Sequence, residues 1–126
     1  MTGRVLLAED DRVLRRAGEV MLRKHGYEVS LAADGEEALV RAREDKPDLI
    51  LLDVILPKML GFEVLRLLKA SEATARIPVV MLSNLEQESD QREALDAGAI
   101  AFITKSNVRL DRLAAEVDAI FASHKA

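Results

Sequence analysis

The segment Asp48-Leu49-Ile50-Leu51-Leu52-Asp53 sets four consecutive apolar residues between two acids, and Val54-Ile55-Leu56-Pro57-Lys58-Met59-Leu60-Gly61 follows it. An apolar run of this kind has no polar side, so it predicts a strand buried on both faces. Pro57 and Gly61 then punctuate a loop. Asp53 therefore stands at the carboxyl end of a buried strand, the edge at which open parallel sheets bind ligands.

On either side of this segment the chain alternates between short β-rich runs and amphipathic windows, without internal repeats or low-complexity stretches. Residues 4–8, 27–32, 49–53, 78–82 and 100–104 are predicted strands, and 12–25, 35–44, 61–70, 87–97 and 109–122 predicted helices. In the last window Leu110, Leu113, Val117, Ile120 and Phe121 recur near the 3.6 period of a helix with one face on a sheet. Gly26 and Gly98 fall just past helix ends, where a left-handed cap is expected, and Asp34-Gly35 and Pro47-Asp48 mark turns. Strand followed by helix, repeated throughout, implies a doubly wound α/β domain: a five-stranded parallel sheet, (βα)5, with helices on both faces. The flavodoxin-like strand order 2-1-3-4-5 is the expected one, and it makes strands 1 and 3 neighbours.

Composition narrows the class. The 126 residues fit one domain, 1–126, that buries a core without disulfides or metals. Apolar residues make up 49% and charged residues 32%, a globular balance. The absence of cysteine excludes thiol chemistry, and two distant histidines, His25 and His124, do not suggest a zinc site. A net charge of −4 argues against direct nucleic acid binding. Arg12, Arg15, Arg16, Arg23 and Lys24 share a helix with acids and are expected to form a solvated face. No apolar stretch has membrane-span length, and Met1-Thr2-Gly3-Arg4 leads into a strand rather than a signal-peptide core, so a cytoplasmic protein with no membrane partner is expected.

With strands 1 and 3 adjacent, Glu9, Asp10 and Asp11 after the first converge on Asp53 after the third. One of Asp10 and Asp11 is expected to cap the following helix. Capping explains one acid but not four. Carboxylates crowded together repel unless a cation neutralises them, and an oxygen-only, partly open donor set suits Mg²⁺. Ser83 ends the fourth strand and Lys105 the fifth, on the same edge. A metal, an ammonium and a hydroxyl around a carboxylate are what a phosphoryl group requires.

Taken together, Glu9-Asp10 after Val5-Leu6-Leu7-Ala8, the segment from Asp53 to Gly61, the strand from Pro78 to Ser83, and Gly98-Ala99 leading to Phe102 and Lys105 resemble the receiver domain of two-component response regulators. The resemblance covers essentially the whole chain. It implies that Asp53 takes a phosphoryl group from a histidine kinase or histidine phosphotransfer protein. It further implies that Asp10 and Asp53 ligate Mg²⁺ directly, Glu9 through water, and the Ile55 carbonyl completes the set. Lys105 would pair with phosphoryl oxygens, and Ser83 would move to hydrogen-bond them while Phe102 turns inward. Asp11 is left out of the metal's ligands. The module would catalyse only its own phosphorylation and dephosphorylation and would switch a surface read by a downstream protein effector.

Two positions and one region depart from the family's pattern: Ser106 follows Lys105 where proline is common, Leu60 precedes Gly61 where an acid is frequent, and the region after Lys105 lacks the acidic-aromatic signature of receivers that dimerise through helices 4 and 5. The Lys105–Ser106 peptide is expected to be trans, because a non-proline cis bond costs about 2.5–4 kcal/mol. The resemblance also implies that Ile55, two residues after Asp53, and Leu85, two after Ser83, would overhang the phosphoryl group with apolar bulk, which predicts a long-lived phosphorylated state. Two rivals are a phosphorylation-independent adaptor on the same fold, opposed by the intact set of site residues, and an aspartyl phosphatase, opposed by Ile55 where such enzymes carry an acid. With residues 123–126 closing soon after the last helix, the chain is expected to be a stand-alone regulator or a receiver cut from a longer one. An acidic fourth helix, with Glu86, Glu88, Asp90, Glu93 and Asp96 in or beside it, suggests a basic protein partner.

Overall fold

Five strands, each followed by a helix, run through the computed structural model, which describes residues 3–83, 88–104 and 110–124. The strands are β1 (Arg4–Ala8), β2 (Glu28–Ala32), β3 (Leu49–Asp53), β4 (Val79–Ser83) and β5 (Ala101–Thr104). The helices are α1 (Arg12–Lys24), α2 (Gly35–Asp45), α3 (Gly61–Ala70), α4 (Glu88–Asp96) and α5 (Leu110–His124). All strand pairings are parallel and the order is β2-β1-β3-β4-β5, as expected.

Side-chain alternation splits the apolar strands between two cores. Leu6, Ile50, Leu52, Val79 and Met81 meet Ala38, Leu39 and Ala42 of α2, Val64, Leu65 and Leu68 of α3, and Ala94 of α4. Val5, Leu7, Leu49, Leu51, Val80 and Leu82 meet Leu22 of α1 with Leu113 and Val117 of α5 on the other face. Every residue of β3 and β4 is buried. At roughly 1.5–3 kcal/mol for each fully buried Leu or Val, these two strands anchor the sheet, so the edge on which Asp53 and Ser83 sit is held firmly.

Local chemistry sets the boundaries. Asp11 caps α1, its side chain accepting from the Val13 and Leu14 amides, and Asp34 caps α2 by accepting from Glu37. Gly26 (φ 93) and Gly98 (φ 110) take the left-handed conformation after α1 and α4, as their positions predict. Lys46 does the same after α2 without being glycine. Tyr27 lies outside β2 because its amide donates to Leu22 of α1. β4 starts and ends one residue later than the expected 78–82 and closes on Ser83, in register with Thr104. Among the described residues no helix is long and apolar enough to cross a membrane.

The basic face of α1 is solvated only in part. Arg16 and Arg23 pair with Glu19 on the helix surface, at 2.9 and 3.1 Å. Arg15 departs from that expectation: its guanidinium turns back over the loop before the helix, where main-chain carbonyls offer two acceptors.

Candidate functional site

The β1–β3 register pairs Ala8 with Leu52, so the residues that follow, Glu9 and Asp53, leave neighbouring strands side by side. The chain leaving β1 turns to α1 on one face of the sheet and the chain leaving β3 turns to α3 on the other, and a crevice opens between the two connections at this switch of direction. It has a volume of about 320 Å³ and is lined by Glu9, Asp10, Asp11, Leu14, Asp53, Ile55 and Ser83.

Each acid is held differently. The Glu9 amide continues the ladder by donating to the Ala32 carbonyl, and its side chain, only 3% exposed, accepts from the Asp11 amide at 3.1 Å. Asp53 is 5% exposed, and its Oδ1 accepts from the Ile55 amide at 3.2 Å. Asp10 is exposed between them. Asp11 spends its Oδ1 on the amides of Val13 and Leu14, at 2.9 and 3.1 Å. Capping therefore takes Asp11, and carboxylate oxygens of Glu9, Asp10 and Asp53 lie within 4.8 Å of one another.

That cluster fits a hard cation. Two oxygens bound to one Mg²⁺ are at most about 4.2 Å apart, twice its ~2.1 Å bond, so a small inward adjustment brings all three donors into range. The donors are all oxygen, the chemistry that favours Mg²⁺, Mn²⁺ or Ca²⁺ over softer metals.

The loop from Val54 to Leu60 is fastened on both sides. The Gly35 amide donates to the Pro57 carbonyl at 3.2 Å, and Lys58, at φ 69, puts its ammonium 3.5 Å from Asp34. The Glu37 amide holds the Asp34 carboxyl below the usual aspartate range, with Lys58 adding to the effect. At the far end the Gly61 amide donates to the Val54 carbonyl at 2.7 Å. A Cβ at Gly61 would lie 2.2 Å from the Asp53 carbonyl oxygen, so only glycine lets α3 start directly behind the acid.

The remaining predicted residues fall around this centre. Ser83, 1% exposed, lines the crevice from β4, and Ile55, 60% exposed, lines it from the loop. Phe102 pairs in register with Met81 and is half-buried against the core on the α2–α3–α4 face. Lys105, Leu85 and the Lys105–Ser106 peptide lie outside the described residues, as does Glu86. Thr104, in register with Ser83, is the last described residue before Lys105. Of the acids assigned to the fourth helix, Glu93 pairs with Arg66 of α3 at 3.3 Å. Arg15 was not singled out as a site residue in the sequence; its position one turn after the capping Asp11 was the available signal.

Comparison with known proteins agrees with this geometry. The sequence profile of the response regulator receiver domain matches residues 5–118. The gliding motility regulatory protein of Myxococcus xanthus is 43% identical over 115 residues, covering 91% of this chain. The chain spans only 15% of that relative's length. The chemotaxis response regulator CheY4 of Vibrio cholerae superposes with a TM-score of 0.88 at 28% identity, covering 95% of this chain and 99% of its own. The Mn²⁺-bound form of response regulator Rcp1 superposes with a TM-score of 0.79 at 30% identity, covering 95% of this chain and 92% of its own.

Proposed function

The chain belongs to the response regulator receiver domain family, and from that premise we propose that it is a phosphoacceptor switch, taking a phosphoryl group on Asp53 from a phosphohistidine. The observation that carries this reading is the convergence of the buried Asp53 with Glu9 and Asp10 at the sheet's switch point. Receivers act between histidine kinases and effectors, so a kinase or phosphotransfer protein upstream and a protein effector downstream are the proposed partners.

Glu9, Asp10 and Asp53 would hold the cation, which we assign as Mg²⁺, with the Ile55 carbonyl as a further donor. When bound, Mg²⁺ supplies positive charge for the phosphoryl oxygens and offsets the repulsion among the three carboxylates. The chain's own residues do the rest. An Asp53 carboxylate oxygen forms the new P–O bond as the P–N bond to imidazole breaks, and the departing imidazole nitrogen recovers a proton. The Ile55 amide already orients Asp53 through Oδ1, which reduces the reorientation needed for attack. The Ser83 hydroxyl would donate to one phosphoryl oxygen and the Lys105 ammonium would pair with another. Moving Ser83 toward the phosphoryl group opens space beside β4 and β5, into which Phe102 would turn, altering the surface read by the effector.

Incubation with a small acyl phosphate tests this. Wild-type protein should gain one phosphoryl mass with Mg²⁺ and none with chelator, and Asp53→Asn none in either. Equal labelling of Asp53→Asn would overturn the assignment.

A further inference from the structure

Three successive main-chain carbonyls, those of Glu9, Asp10 and Asp11, are taken up by one residue of α1. The Arg15 amide donates to the Asp11 carbonyl at 2.8 Å, the ordinary bond of a first helical turn. Its Nη1 reaches back to the Glu9 carbonyl at 2.9 Å and the Asp10 carbonyl at 3.3 Å. On the other side of the same segment the Glu9 amide is bound to Ala32 and the Asp11 amide to the Glu9 carboxylate. The peptide planes on both sides of Asp10 are thereby fixed, and these planes set the direction in which the exposed Asp10 side chain leaves the chain.

We propose that Arg15 is a positioning residue for the divalent-cation site, holding the Glu9–Asp10 backbone so that both carboxylates stay directed at Asp53 before the cation arrives. This rests on reading the acidic cluster as a metal site. The physical reason is preorganisation: without the guanidinium the loop between β1 and the Asp11 cap would have to be ordered by the metal itself, and affinity would fall by that cost. Losing a group that orients metal ligands typically weakens binding 10–100-fold. Arg15 acts through the backbone rather than on a carboxylate, so the lower end, about tenfold, is expected. A second effect of Arg15 has the opposite sign. Its positive charge repels a cation, so a purely electrostatic role predicts tighter binding once the charge is removed.

Titration of metal-free protein with Mn²⁺, following the free-ion electron paramagnetic resonance signal, separates these. Arg15→Met keeps the aliphatic stem and removes both side-chain bonds, and it should bind Mn²⁺ about tenfold more weakly than wild type. Arg15→Lys, which keeps the charge and a donor on a shorter stem, should fall between them. Equal or tighter binding by Arg15→Met would overturn the proposal. So would a drop in the metal-free thermal midpoint with affinity unchanged, since that describes a merely structural arginine. Asp10→Asn serves as the reference. If it binds as tightly as wild type, or if wild type binds no Mn²⁺, the metal-site reading fails and the proposal with it. If Asp10→Asn is weak and Arg15→Met is not, only the role of Arg15 fails.

Discussion

Leu60 occupies the N-cap of α3 with extended backbone (φ −63, ψ 149) and makes no side-chain capping bond, whereas Asp11 and Asp34 cap α1 and α2. Half of Leu60 is exposed, so its apolar side chain contributes little there. Leu60→Asp should therefore stabilise the fold by about 1 kcal/mol, read as a higher urea midpoint at unchanged slope. No gain would mean that the first turn of α3 is already satisfied. Ile55 carries a kinetic prediction. Lining the crevice and unable to orient water, it should slow hydrolysis of the acyl phosphate together with Leu85. Ile55→Asn with Leu85→Glu should speed dephosphorylation roughly tenfold, a barrier change of only about 1.4 kcal/mol. Equal or slower decay at fixed pH and Mg²⁺ would show that these side chains do not gate the water. Glu9, Asp10 and Asp53 were legible in the sequence because each follows or ends an apolar run. Arg15 was not, since periodicity says which face a residue occupies and nothing about a long side chain reaching back across the helix end.

Contacts between elements were the least legible features. The turn between α1 and β2 is fastened to α5 by a cluster around Asp118: the Tyr27 hydroxyl donates to its Oδ1 and His25 Nδ1 lies 3.2 Å from its Oδ2, while the Tyr27 ring stacks on Phe121. Nothing in the local pattern pairs residues 91 positions apart. The Tyr27 hydroxyl, aided by His25, holds the Asp118 carboxyl below the usual range, and burial, with Asp118 beside it, raises the Tyr27 phenol. A depressed carboxyl contributes stability that is fully present above its unfolded value, near pH 3.9, and lost as pH falls through the folded value. Asp118→Asn should therefore be less stable than wild type at neutral pH, with the difference shrinking below about pH 4. Urea midpoints of both proteins across that range check the sign. A gap that widens in acid would contradict it. Strand and helix positions, by contrast, were readable to within a residue or two, because strands buried on both faces leave short unbroken apolar runs and helices buried on one face leave a 3.6 period, whatever the partner element.

The order β2-β1-β3-β4-β5 turns a list of acids into a site. Adjacent β1 and β3 bring Glu9 and Asp10 against Asp53, and β4 adds Ser83, all on one edge of a sheet whose centre is wholly buried. This convergence was inferable because parallel crossovers allow few topologies, and the commoner five-strand order makes strands 1 and 3 neighbours, which brings their terminal acids together. The account stands on Asp53 being the acceptor and on its acceptance requiring the metal. Borohydride converts an aspartyl phosphate to homoserine, which peptide mass spectrometry locates. After treatment with a small acyl phosphate, homoserine should appear at position 53 alone and only when Mg²⁺ is present. Homoserine at position 10 or 11, or at 53 in the presence of chelator, would contradict it.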